Sequence, residues 1–247
     1  MRRNRKIQRV EAPDARAQAE AAETRSAYER QGRRWEDQQY RSWMPGNVLI
    51  AQERERVMLD LLRREGMLPL TDKRILDVGC GVGKELIRFV ARGARPENLR
   101  GIDVQEDLVA EARALAPNID VRVGDATRLP FEDASFDLVL AFVMLSSMRS
   151  DESRRLAAAE MLRVTAPTGC VLVYDFALNP GNRDVQPIRP RDLQRLFAGT
   201  VVSSRRVTPA PPLARAVARR SWYAAVLLGT IPMLRTHRLM IARPAAA

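Results

Sequence analysis

The sequence predicts an α/β protein with a parallel sheet covered by helices on both faces. From residue 74 onward, short apolar strands alternate with helical segments across short connections, the pattern of a parallel sheet. Near-continuous apolar runs such as "LVLAFVML" (138–145) suit central strands buried on both sides. In "ILDVGCGVGKEL" (75–86) a hydrophobic run ending in Asp77 meets glycines at 79, 81 and 83, and then an apolar-periodic segment: strand, turn, helix.

Residues 1–24, rich in Arg, Ala and Glu, read as a basic, flexible tail. Residues 25–66 read as a helical cover segment. Tyr28, Trp35, Tyr40 and Trp43 cluster ahead of a Pro45-Gly46 break, as if packed over something and hinged there to close. Leu49, Val57, Leu61 and Leu62 then recur at helical spacing between 48 and 64. The remaining 67–247 form one domain with strands at 74–78, 99–103, 119–123, 137–142, 169–175, 200–208 and 236–243. Helices are expected near 83–92, 105–115, 151–164, 190–198 and 211–228, the last within a cover insertion at about 209–235.

The whole chain bounds the function. Its 247 residues, 46% of them hydrophobic, can bury a sizeable core. Two cysteines, Cys80 and Cys170, offer neither a disulfide framework nor metal-ligand spacing, which suggests a reducing, cytoplasmic setting and no metal. His237 is the single histidine, which argues against a His-ligated metal or a Ser-His-Asp triad. The net charge of +11 is almost entirely arginine and is compatible with a solvated basic surface, nucleic acid, an anionic membrane or an acidic substrate. The start lacks the apolar core of a signal peptide, and no stretch is long enough to span a bilayer.

The glycine loop identifies a ligand class. A dinucleotide fingerprint needs G-x-G-x-x-G, but Lys84 stands where its third glycine belongs, and no GK[ST] follows to make a triphosphate loop. Asp77 beside the loop suits an ammonium better than a pyrophosphate. Asp103, closing the next strand in "LRGIDV", can accept from both ribose hydroxyls. Gly124 and Asp125 after the third strand offer a tight turn and an acceptor for an exocyclic amine. Ammonium, ribose and adenine without a phosphate cradle describe S-adenosylmethionine.

The successive stretches "ILDVGCGVGKE", "GIDV", "GDATRLPFEDASFDLVLA" and "EMLRVTAPTGCVLVYDF" resemble the motifs of class I S-adenosylmethionine-dependent methyltransferases, densely over 74–176. The resemblance implies a Rossmann-like sheet of seven strands in the order 3-2-1-4-5-7-6, the last strand antiparallel. It also implies that Asp77, Gly79 and Gly81 line the methionine part of S-adenosylmethionine. Asp103 would hold the ribose, Val104 would pack on the adenine, and Asp125 would take the adenine amine with Ala126 beside it. Ala141 and Phe142 would sit near the sulfonium.

Methyl transfer needs in-line alignment and exclusion of water; a hydroxyl acceptor of high pKa also needs a base. Ser146 and Ser147 after the fourth strand are poor bases. His237, opening the last strand, and Asp175, closing its neighbour, form a candidate catalytic pair; the bland alternative is a strand-end histidine satisfied by backbone. The C-terminal half loosely resembles enzymes of bacterial cell-surface polysaccharides and secondary metabolites, which favours a hydroxyl of a small molecule or glycan. N- or C-methylation of a metabolite stays open. An RNA acceptor is disfavoured, because no RNA-binding module and no Asn-Pro-Pro-aromatic motif is present. Arginines followed by an apolar block within 211–234 allow either a peripheral membrane contact or a helix covering the sheet edge.

Overall fold

The computed structural model describes residues 41–178, 186–197 and 200–244. The basic tail and Tyr28, Trp35 and Tyr40 lie outside these residues. Helix α1 (Pro45–Arg64) precedes β1 (Ile75–Val78), α2 (Lys84–Ala91), β2 (Leu99–Asp103), α3 (Glu106–Leu115) and β3 (Asp120–Val123). Then come β4 (Phe136–Phe142), α4 (Asp151–Val164), β5 (Thr165–Phe176), α5 (Pro190–Leu196), β6 (Val201–Pro209), α6 (Pro211–Ala218), α7 (Trp222–Gly229) and β7 (Arg235–Ala242).

The strands form one sheet in the order β3-β2-β1-β4-β5-β7-β6, as the motif resemblance implies. β1 to β5 run parallel, and β7 is antiparallel to both β5 and β6. Successive strand residues face opposite sides, so each strand feeds two cores. Ile75, Leu138, Leu140 and Leu172 meet Met58, Leu61, Leu86, Phe89 and Val109 from α1, α2 and α3. Leu76, Val139, Val171 and Val173 meet Ala157, Met161, Val164 and Leu193 from α4 and α5. Burial on both faces is why the strands read as unbroken apolar runs.

Three boundaries differ from expectation, each for a local reason. β5 starts at Thr165, four residues before the expected position, and pairs with Phe136 across a register shift that ends at Leu138–Cys170. Its "APTG" opening reads as a turn because a bulge and a turn use the same residues. The single helix expected over 211–228 is two helices broken at Arg219–Ser221, where the Ser221 hydroxyl caps α7 by accepting from the Ala224 N–H at 3.2 Å. Pro45-Gly46 is no break: Pro45 opens α1 in the first turn, where its missing N–H costs nothing. Gly46 lets α6 approach, since a Cβ there would lie 2.5 Å from the Arg215 Cα. Trp43, expected to pack, is 65% exposed with the Arg41 guanidinium 5.1 Å from its ring.

Candidate active site

The parallel strands deliver their C-terminal ends to one edge of the sheet, and the strand order reverses direction beside β1. Asp77 in β1 is 2% exposed, and its Oδ1 has no hydrogen-bond partner. Burial pushes its carboxyl well above the usual range, and the charges of Glu85 and Asp103 push the same way. The loop that follows holds Gly79, Gly81 and Gly83 at φ of 72°, 51° and 75°, a region that favours glycine. The Gly79 N–H donates to the Ile102 carbonyl at 2.8 Å, pinning the loop to β2. A Cβ on Gly79 would lie 2.5 Å from the Met144 Cγ.

Asp103 ends β2, buried. Its Oδ2 accepts from the Gly81 N–H at 2.8 Å and its Oδ1 from the Gln105 N–H at 2.9 Å. Burial raises its pKa against those bonds, and a carboxylate so engaged keeps lone pairs for further donors. Asp125 follows β3, its Oδ1 accepting from the Thr127 N–H at 2.8 Å in an Asx-type turn. Val104 is half-buried beside Asp103, and Ala126 packs on the α4-side core. Ala141 is wholly buried in that same core, whereas Phe142 faces α1.

The structure does not bring Asp175 and His237 together. The β5–β7 register sets His237 opposite Phe176 and Arg238 opposite Asp175, so the two side chains leave opposite faces of the sheet. His237 stacks on Tyr174, with ring centroids 4.9 Å apart, and lies 4.1 Å from the Phe176 ring. Its Nδ1 is 3.0 Å from the Thr236 hydroxyl. Burial, helped by the nearby Arg54 charge, pushes the imidazole down to about 3, which makes it neutral and weakly basic. On the other face, Asp175 accepts from the Ser146 N–H at 3.0 Å and the Phe176 N–H at 2.8 Å, and burial pushes it up to about 6. The expected pair is not formed.

On the His237 face stands a charged cluster that the motif reading missed. Arg54 of α1 ion-pairs with Glu85 at 2.8 Å, its guanidinium 5.4 Å from the Phe142 ring and 5.1 Å from the Tyr174 ring. The Arg54 Nε and the Glu85 Oε2 are buried without hydrogen-bond partners, like the Asp77 Oδ1. Neighbouring Glu53 accepts from the Thr208 N–H at 2.6 Å through Oε2, and burial raises its carboxyl. The signal was in the sequence: Arg54 falls at the i, i+4, i+7 spacing of Met58 and Leu61, a charge on the buried stripe of a helix.

A methyltransferase-domain family matches residues 75–169, which span the glycine loop, Asp103, Asp125 and the end of α4. Residues 75–169 are thus a methyltransferase domain, of the class I S-adenosylmethionine-dependent type. The chain is 38% identical over 125 residues to 27-O-demethylrifamycin SV methyltransferase of Amycolatopsis mediterranei, covering 48% of this chain and 44% of that one. It is 33% identical over 144 residues to the ubiquinone/menaquinone biosynthesis C-methyltransferase UbiE of Dinoroseobacter shibae, covering 55% of each. The chain thus spans about half the length of the curated relatives it matches. Among solved structures, magnesium protoporphyrin IX methyltransferase of Synechocystis PCC 6803 shares its fold at a TM-score of 0.58 and 16% identity, over 94% of this chain and 99% of that one. The [4+2]-cyclase SpnF also has a TM-score of 0.58, at 24% identity over 86% and 87% of the two chains. One fold thus carries differently named activities, and the site must argue the chemistry.

The exit of β4 in this methyltransferase domain is strained. Val143, a β-branched residue, has φ 56°, and its N–H donates to the Tyr174 carbonyl at 2.7 Å. Buried Arg154 of α4 holds the loop beyond, its Nε donating to the Leu145 and Met148 carbonyls at 3.0 and 2.9 Å. That clamp sets Met144 over Gly79.

Proposed function

We propose that the chain transfers a methyl group from S-adenosylmethionine to a small-molecule acceptor. The observation that carries this reading is the buried, unpartnered Asp77 Oδ1 beside a loop of left-handed glycines. A desolvated carboxylate without a donor is costly, and a ligand ammonium offsets that cost. Arg54, with its Nε buried and unpartnered on the same face, suits the ligand's carboxylate. Asp103 receives the ribose hydroxyls and Asp125 the adenine amine, while Val104 and Ala126 flank the ring. Gly81 leaves room for the methionine chain, and Gly79 lets Met144 close over the loop that lines it. Bound there, the cofactor supplies an electrophilic methyl carbon on a sulfonium.

Half-buried Phe142 and Phe176, backed by buried Tyr174 and His237, form an aromatic wall on the acceptor side, under the Glu53–Arg54 turn of α1. Such walls exclude water and suit an apolar or aromatic acceptor. A hydroxyl is the acceptor group we favour, in keeping with the similarity to the rifamycin 27-O-methylating relative. A glycan hydroxyl has only the loose resemblance of the C-terminal half behind it. Glu53, whose Oε1 ion-pairs with the Arg235 guanidinium at 3.4 Å and whose pKa burial raises, takes the hydroxyl proton in place of the expected His237–Asp175 pair.

The test offers the full chain and S-adenosylmethionine to a panel of phenols, quinols and glycosides, with methylated products read by mass spectrometry. Methylation confined to phenolic or quinol hydroxyls supports the reading. Methylation of the glycosides alone overturns the acceptor class, and absence of cofactor binding overturns the reading altogether.

A further inference from the structure

The cap formed by α6, α7 and the turn at Pro232–Leu234 is built inside out. In α7 the inward residues are small: Ala225 and Gly229 are buried, Ala225 against Leu49 of α1 and Ala218 of α6. The large apolar side chains point to solvent. Tyr223 is 85% exposed, Met233 83% and Leu227 69%, with Trp222, Val226 and Ile231 also exposed. A helix that only covered a sheet edge would bury these side chains, and single exposed apolar residues would not cluster over twelve positions.

Charge identifies what covers this face. Between residues 193 and 247 the sequence holds nine arginines and no aspartate or glutamate. Arg219 and Arg220 are exposed at the α6–α7 junction, and Arg205 and Arg206 are exposed on edge strand β6. Arg235 and Arg243 are paired with Glu53 and Glu65, but Arg205, Arg206, Arg219 and Arg220 are exposed, and an apolar surface beside exposed arginines is complementary to hydrocarbon beneath a layer of anionic headgroups. A second copy of the chain fits poorly, because a two-fold interface would set these exposed arginines against one another. No helix among the described residues is long and apolar enough to cross a membrane, so the contact is peripheral.

We propose that the α6–α7 cap docks on an anionic lipid bilayer, with Tyr223, Leu227, Ile231 and Met233 entering the interface and Arg219 and Arg220 meeting the headgroups. The inner side of the cap holds α1 through Gly46 and through the Arg215 Nε, which donates to the Asn47 Oδ1 at 2.8 Å. Two turns further along α1 stand Glu53 and Arg54. The bilayer therefore lies against the roof of the acceptor side, and, resting on the methyl-transfer reading above, the acceptor is an amphiphile taken from it.

The experiment is co-sedimentation of the full chain with vesicles of phosphatidylcholine alone or mixed with phosphatidylglycerol, paired with cofactor titration of the same samples. Binding is expected only with phosphatidylglycerol present. Tyr223→Ser/Leu227→Ser and Arg219→Glu/Arg220→Glu should each lower it by about tenfold or more, with cofactor affinity unchanged. Vesicle binding without cofactor binding would leave this proposal standing and remove the methyl-transfer reading. No binding to anionic vesicles overturns the proposal, as does binding that both variants retain. A dimer lost in the Tyr223→Ser/Leu227→Ser variant reassigns the face to self-association. RNA binding lost only in the Arg219→Glu/Arg220→Glu variant reassigns it to nucleic acid.

Discussion

The β1–β3 half of the sheet edge and the β5–β7 half are built by different rules. In the first, Asp77, Asp103 and Asp125 stand at strand ends or just past them, and backbone demands fix the rest: left-handed glycines, and N–H groups pinned to Ile102 and Asp103. In the second, Arg54, Tyr174, Thr208 and His237 come from four separate elements and meet only in the folded protein. A ligand held through backbone geometry leaves a local pattern in the chain. A pocket assembled from distant side chains leaves none.

The sharpest break in this comparison is Gly79→Val. A β-branched residue at φ 72° is strained, and its Cβ would meet Met144. Cofactor affinity should fall about 100-fold in a calorimetric titration, with circular dichroism of the fold retained. A smaller loss would mean that the loop tolerates a side chain and that its glycines are not there for a ligand.

Gly46→Val strikes the other half by wedging α1 away from α6. It should destabilise the protein by about 1–3 kcal/mol, the range of overpacked sites, seen as a lowered midpoint in thermal melting. Unchanged melting would mean that the cap is not held to α1 by this contact.

Asp77→Asn separates stability from binding. The folded-state pKa of Asp77 is raised, so its charged form opposes folding. Wild-type stability should therefore fall as pH rises from the unfolded value of about 3.9 through the raised folded value. The variant lacks that slope and, without ligand, should melt higher at neutral pH. A lower melting point in the variant would show that Asp77 has a stabilising partner in the protein.

The smallest effect is expected at His237. Unpaired with Asp175 and neutral, it should lose less than about tenfold in turnover on substitution by Asn, against about 10²–10⁴-fold for a general base. A loss in the larger range, with a pH profile that follows the imidazole, would restore it as the base.

Legibility in the sequence follows the same division. The glycine loop and the strand-end positions of the three aspartates could be read because each depends on neighbours within a few residues, whereas the strand order came only with the motif resemblance. The break between α6 and α7 was visible in principle, since Ser221 is a good N-cap, but an apolar run across Arg219–Arg220 hid it. The failed pairing of Asp175 with His237 was not legible. Both residues end at the same sheet edge, and only the β5–β7 register decides which face each side chain takes. Arg54 lay between these cases: the helix pattern marked a charge on a buried stripe, but nothing local named Glu85 as its partner.

Asp77 and Arg54 are the buried groups proposed to hold the amino-acid end of the cofactor. Titration of S-adenosylmethionine into wild type, Asp77→Asn and Arg54→Met tests that role most directly. The prediction is a loss in affinity of about 10–150-fold in each variant, the worth of one hydrogen bond to a charged group. Affinity unchanged in both variants would contradict it.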